Sequence, residues 1–312
     1  MRKTMNQVTV EGLLYQHTLE LKVSGENSKN PGTEYITGTV EIATDDKLTN
    51  IIPVHYTYVT ATTSKGNPNK NYNVLKNIIS GAYKNVMADG AAAATKFKIN
   101  SAIGLNEFFS DRSGTEELVS VKRNEGGFIE VVNALNEDEK ARCAFKCDMI
   151  ITNVREVEAD EEKGTPEKAI VKGAIFDFRN ALLPVEFTAL NPIAIDYFVG
   201  LGASEREPFF TNVWGREISE VVVTKKVEES AFGDDYVREY TNTRKDFVLT
   251  GALREPYGFD EEGSILASEF REAIANREVY IATLKKRNEE YKNSKNQNFE
   301  APAVNSDPDF KF

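Results

Sequence analysis

Ile51-Ile52-Pro53-Val54-His55-Tyr56-Thr57 returns 131 residues later as Leu182-Leu183-Pro184-Val185-Glu186-Phe187-Thr188. Both copies put apolar residues at every second position, the period of a strand with one buried face. A glycine-bearing strand pattern precedes each copy, at residues 35–43 and 169–178, and a helix-like segment with further strands follows. Self-similarity of this kind predicts two copies of one small domain rather than a solenoid. The unit reads as mostly β with a single helix, a pattern that suits a small barrel.

Residues 6–23 alternate loosely and are rich in Val, Leu and Thr, which predicts a long first strand. Residues 24–33 (SGENSKNPGT) read as a turn-rich loop. Strands at 35–43 and 51–61 flank a turn at Asp45-Asp46-Lys47. After the polar, basic loop 63–71, Val74, Leu75, Ile78, Ile79, Tyr83 and Val86 recur at helical spacing, predicting a helix over 74–87. Residues 95–109 and 118–132 read as two more strands, giving the order three strands, helix, two strands. The charged run 136–142 (NEDEKAR) lacks a core pattern and is the expected boundary.

The second copy repeats that order. Strands are expected at 143–156, 169–178 and 182–190, a short helix at 193–201, and strands at 211–225 and 245–254. Residues 265–291 carry the strongest helical pattern, with Leu266, Phe270, Ile274, Tyr280, Ile281 and Leu284 mainly on one stripe. Such a helix either packs on the second domain or mediates association. Beyond residue 293 the composition turns to Asn, Ser, Ala and Pro, which predicts a disordered tail. The expected division is a first domain at 1–138, a second at 139–258, a C-terminal helix at 259–292 and the tail at 293–312. The fold class is mainly β: two tandem five-stranded barrels plus the helix and tail.

The formal charge is −11, unevenly placed. Residues 1–130 hold 14 basic and 14 acidic side chains, and the remainder holds 24 and 35. A net acidic chain is not a generic polyanion binder, although bases clustered in a groove still bind nucleic acid. No run of eighteen apolar residues occurs, and residues 1–10 lack a signal-peptide core, so no membrane span and a cytoplasmic setting are expected. Cys143 and Cys147 are too few for a disulfide framework; plain buried thiols are the first reading, redox or metal roles the second. His17 and His55 lack a ligand pattern, and the pairs Asp45-Asp46 and Asp234-Asp235 lack further ligands at suitable spacing. With no P-loop, dinucleotide fingerprint or nucleophile elbow, no catalysis, cofactor or metal is expected.

A five-stranded unit with its helix between strands three and four has the order of the oligonucleotide-binding barrel. In that duplicated order, in the Gly-x-Val-x-Ile and Val-x-Tyr-x-Tyr patterns of residues 35–43 and 51–61, and in the tail Asn305-Ser306-Asp307-Pro308-Asp309-Phe310-Lys311-Phe312, the chain resembles the single-stranded DNA-binding proteins in a tandem-barrel form of the kind bacterial viruses encode. The resemblance implies a protein that coats and protects single strands during replication or recombination, in the host cytoplasm if phage-encoded. It also implies replication or recombination partners recruited through Asp307, Asp309, Phe310 and Phe312, and a dimer that brings four barrels together, with the 265–291 helix as its contact. The tail departs from the family pattern in holding only two acids and in placing Lys311 beside the end.

Single-strand binding asks for a basic groove and exposed rings on which bases stack. Ile52, Val54 and Tyr56 match Leu183, Val185 and Phe187 as the inward set, so Tyr56 is not a stacking residue. If Gly38 matches Gly173, then Lys172, Phe176 and Phe178 face outward and are candidates, unless a one-residue bulge turns them in. Lys65, Lys70 and Tyr72 flank the strand-to-helix connection; Lys96 and Lys98 share a face; Lys122 and Arg123 precede a Gly126-Gly127 turn, with Phe128 after it. Any one of these lysines also fits an ordinary solvated position. Trp214 and Arg216 share strand parity, although a lone tryptophan is more often core. The alternative function is a structural or host-interaction protein, a virion component or inhibitor, with no nucleic-acid binding.

Overall fold

The computed structural model describes residues 4–26, 28–112, 114–160, 165–228, 232 and 236–297. Of the tail expected at 293–312, residues 293–297 instead continue the C-terminal helix, and the rest, with Asp307, Asp309, Phe310 and Phe312, lies outside the described residues.

The first copy forms β1 (Asn6–His17), β2 (Glu20–Val23), β3 (Glu34–Ala43), β4 (Ile51–Thr60), α1 (Lys70–Ile79), α2 (Val86–Asp89), β5 (Lys96–Ser110) and β6 (Glu117–Val131). The single long strand expected at 6–23 is two strands, because the chain turns at Thr18 and Leu19 around Gly38. Gly38 has φ +131°, and a Cβ there would lie 2.4 Å from the Thr18 carbonyl oxygen, so glycine alone allows the approach. β1 pairs antiparallel with β3 and β5, β3 with β4, and β5 with β6. A short parallel contact, Val54–His55 against Asn124–Glu125, closes the ring. This is the five-stranded oligonucleotide-binding order.

The helix expected at 74–87 starts four residues earlier and ends eight earlier. Asn69 caps its start, its side chain accepting from the Asn71 N–H, and Tyr72, Leu75 and Ile78 are its buried face. Gly81 (φ +74°) stops it, and Asn85 starts the separate turn α2 by accepting from the Ala88 N–H at 2.8 Å.

The second copy forms β7 (Cys143–Val157), β8 (Lys168–Phe176), β9 (Leu182–Ala189), α3 (Pro192–Gly200), β10 (Phe209–Glu228) and β11 (Tyr236–Ala252). β7 pairs with β8 and β10, β8 with β9, and β10 with β11; Thr188–Ala189 meets Val248–Leu249 in parallel. The two quoted heptads thus occupy the same third-strand position in two closed rings. β10 and β11 pair from Val213–Ala252 out to Glu228–Tyr236, a longer ribbon than the sequence expectation.

The rings are joined. Asn6–Val10 of β1 pairs antiparallel with Cys143–Cys147 of β7. One buried cluster runs through both, from Val8, Ile52, Tyr56 and Phe97 to Phe145, Phe187 and Phe247. Phe145, Phe187 and Phe247 pack at centroid distances of 5.1–6.0 Å. Each fully buried phenylalanine contributes roughly 1.5–3 kcal/mol of burial. Cys143 and Cys147 are buried in this core as free thiols, and burial pushes both thiols up.

α4 (Ala267–Gln297) crosses from one barrel to the other. Its start covers the outer wall of β8, where Ile150, Ala174, Phe176, Phe210, Ile265 and Ala273 make a second buried cluster with Tyr257, Phe259 and Phe270. Further along, Arg277 forks onto Glu107 of β5, and Asn288 and Lys292 reach Glu116 at the tip of the β5–β6 ribbon. No helix among the described residues is long and apolar enough to cross a membrane.

Candidate nucleic-acid interface

The β1–β7 ladder aligns residues far apart in sequence. Arg216 stands opposite Ala144, Ala144 opposite Thr9, Thr9 opposite Asn100, and Asn100 opposite Phe128. This row crosses β10, β7, β1, β5 and β6, a span of about 19 Å at the usual strand spacing. A neighbouring row joins Trp214, Lys146 and Gln7. A third sets Lys98 opposite Glu11 and Glu130.

Strand alternation makes this an outer face. Val8, Val10, Phe145, Cys147 and Val213 point into the core, while Gln7, Asn100 and Lys146 are exposed. Phe128 is 45% exposed and Trp214 38%. Trp214 covers Gly251 on the next strand; a Cβ there would lie 2.3 Å from the indole Nε1, so the ring reaches this position only over glycine. Arg216 is half-buried and its Nε has no hydrogen-bond partner among the described residues. Lys98 lies 3.7 Å from the buried Glu11 carboxylate, which offsets its charge.

Round the Gly126-Gly127 turn lies a shallow pocket of about 250 Å³, bounded by Tyr58, Thr60, Asn69 and Asn71. Asn71 ties the turn to α1, donating to the Gly127 carbonyl at 2.7 Å and accepting from the Ile129 N–H at 3.2 Å. Tyr35 and Tyr58 stack at 4.5 Å, with Tyr58 46% exposed. Lys65 and Lys70 are exposed, in the loop before α1 and at its first residue. His55 bonds Thr39 Oγ1 through Nδ1 at 2.9 Å, and burial, with Arg123 beside it, pulls its pKa down.

Several expected site residues are elsewhere. Phe176 has the expected outward parity but is fully buried, because α4 and residues 257–270 cover that wall. The matching of Gly38 with Gly173 is also corrected. Gly173 opposes Val185 as Val40 opposes Val54, so Val40 is its counterpart; a two-residue offset leaves parity intact. Tyr72 is buried, its hydroxyl donating to Glu34, a bond that pushes its pKa up to about 12. Lys122 turns into the seam between the barrels, its ammonium 5.4 and 5.3 Å from the Phe187 and Phe247 rings and donating to the Glu186 carbonyl. Burial there pulls its pKa down. Arg123 is paired with Glu125 at 2.6 Å and Lys172 with Glu186 at 3.7 Å. Lys96 is half-buried, its ammonium 3.4 Å from the Asn133 carbonyl. Phe178, at the β8–β9 turn, is 86% exposed with Arg179 stacked on it at 4.9 Å.

The wall therefore gathers Trp214, Arg216, Phe128 and Lys98 from the expected set. It adds Lys146, Asn100 and Gln7, which the sequence reading passed over. Lys146 alternates with Phe145 and Cys147, so its outward parity was available; its alignment with β1 was not.

Two solved structures are similar over most of the chain. A deletion mutant of the single-stranded DNA binding protein from Thermus aquaticus is 11% identical, with a TM-score of 0.46, covering 84% of this chain and 100% of that one. The wild-type protein from Thermus aquaticus is 10% identical, with a TM-score of 0.44, covering 83% and 97%. No curated protein matches the sequence. The YorF family model matches residues 4–296, and the chain belongs to the YorF family.

Proposed function

We propose that the chain binds single-stranded DNA, without catalysis and with little sequence preference, along the wall built by β10, β7, β1, β5 and β6. The observation that carries this reading is the ladder row from Arg216 to Phe128, continued by Trp214 and Lys146, which puts rings and positive charge on one face spanning both barrels. Phe128 and Trp214 are the stacking residues, each worth roughly 1–3 kcal/mol per base. Lys146 and Arg216 contact phosphates, and Lys65, Lys70 and Tyr58 extend the path past the Gly126-Gly127 turn. The two closed rings in oligonucleotide-binding order support the same reading. The role is to coat strands during replication or recombination in the cytoplasm, with the C-terminal residues recruiting partners.

Trp214 is the sole tryptophan, so stacking on it reads directly as quenched emission. Titration with labelled oligothymidine at two salt concentrations is expected to show binding that weakens with salt, as phosphate neutralisation requires. Phe128→Ala and Trp214→Ala should each weaken binding about ten-fold. Absence of binding at low salt would end this reading and leave a structural or host-interaction role.

A further inference from the structure

Different forces hold the two halves of α4. Its first turns share the buried apolar cluster of Phe176 and Phe210, and beyond Ala273 no described residue of α4 belongs to a buried apolar cluster. Arg277 then closes on Glu107, with side chains only 11% and 3% exposed. Breaking a pair so enclosed would leave a charge buried without a partner, so this point is a fixed anchor.

Past Arg277 the attachment is polar and open to solvent. Lys292 lies 2.8 Å from Glu116 and 3.5 Å from Asp111, and Asn288 donates to Glu116 at 2.9 Å. The Lys292 side chain is 42% exposed and that of Asp111 73%. Ile281 and Leu284, on the same stripe as Asn288 and Lys292, are only half-buried. The hydrogen bond from Lys292, with the Lys285 charge behind it, holds the Glu116 carboxyl below its usual range.

The two sides are complementary in charge. Residues 285–292 hold Lys285, Lys286, Arg287 and Lys292 against Glu289 and Glu290, in a chain of net charge −11. Lys286 pairs with Glu290 at 3.9 Å, while Lys285 and Arg287 are exposed. The ribbon tip, residues 111–117, holds Asp111, Glu116 and Glu117 against Arg112. Exposed ion pairs contribute little and are screened by salt, so this half of the helix opens at low cost.

We infer that the end of α4 is a strap carrying a second contact for the phosphates of a single strand, masked by the acidic tip of the β5–β6 ribbon until a strand displaces it. The inference rests on the strand-binding reading above. The strand outcompetes the tip because each phosphate neutralised by a lysine or arginine releases condensed counterions, a gain that isolated carboxylates lack. Position allows the exchange: β5 runs from the wall row at Asn100 to Ser110 beside the tip, so a strand passing Phe128 has the ribbon as its continuation. Arg277 and the apolar cluster keep α4 attached while the strap is open.

The test reads strap and wall separately. Spin labels on Glu117→Cys and Asn293→Cys, both exposed positions, report the ribbon-to-helix distance, since the native thiols are buried. Trp214 emission reports the wall. The distance should lengthen with oligothymidine at low salt, and with high salt alone. Two double variants of the full chain are then titrated with labelled oligothymidine, with thermal melting as the check on folding. Asp111→Asn with Glu116→Gln unmasks the cations, so affinity should rise about three-fold and fall more steeply with salt. Lys285→Gln with Lys292→Gln opens the strap but removes the cations, so affinity should not rise. Unchanged affinity in the first variant, a rise in both, or quenched Trp214 with an unchanged distance overturns the strap and spares the wall. A distance lengthened by oligothymidine without quenching of Trp214 upholds the strap and sinks the wall reading.

Discussion

Glu217 makes the seam between the barrels sensitive to pH. It is buried, accepts from Asn124 Nδ2 at 2.6 Å, and burial raises its pKa from 4.5 to about 7. Its folded-state pKa lies above the unfolded value, so the folded state holds the proton longer. Stability is therefore lost as pH rises from about 4.5 to 7, and the full penalty stands above that window. Glu217→Gln removes the charge but keeps an acceptor for Asn124. Its advantage over the natural chain should be absent below pH 4.5 and reach about 3 kcal/mol at pH 8. Urea unfolding of both proteins at the two pH values decides this, and an equal difference at both would refute it. Lys122 gives a second residue-scale prediction. Its ammonium lies over the Phe187 and Phe247 rings, a place that the apolar end of a methionine also suits, so Lys122→Met should keep both stability, within about 1 kcal/mol, and oligothymidine affinity. A loss of affinity comparable to that of Phe128→Ala would return Lys122 to the strand-binding set.

At the scale of elements, α4 explains most of the departure from the sequence reading. Alternation along β8 correctly assigned Phe176 to the outer side. It carried no sign that a helix ninety residues later in the chain would cover that side. Ala273 of α4 is buried, 6% exposed, in the cluster with Phe176 and Phe210. Ala273→Asp buries a charge without a partner, so the helix should lift from β8 at a loss of about 3 kcal/mol. Hydrogen exchange should then show α4 unprotected while β7 and β10 stay protected; protection of α4 unchanged would contradict the packing. The shortened α1 has a local cause that the sequence did contain, the caps at Asn69, Gly81 and Asn85. Reading apolar spacing without those caps ran two elements into one.

Across the whole molecule, the β1–β7 ladder and the shared core make two rings into one sheet of eleven strands. Asn50 reinforces the join, accepting from the Ser219 N–H at 2.6 Å, and Arg142 bonds Asp46 at 2.6 Å. One hydrophobic cluster containing residues of both barrels should melt as one cooperative unit. Scanning calorimetry is expected to give a single transition with matching calorimetric and van't Hoff enthalpies. Two resolved transitions would mean that the barrels fold separately. The same join creates the candidate interface, because it alone brings Trp214 and Arg216 into line with Asn100 and Phe128.

Strand alternation, the repeated heptad and the strand–helix order are local patterns, and they suffice for the ring topology and for which side of β4 and β9 is buried. Backbone period and apolar spacing act over a few residues, so they are legible in the chain itself. Which outer faces stay open was decided by tertiary packing. α4 closed the wall over Phe176, the seam drew in Lys122, and the β1–β7 pairing opened a common face across both barrels. Those choices rest on contacts between residues 64 or more positions apart, and the free energy of such contacts leaves no periodic mark in the sequence.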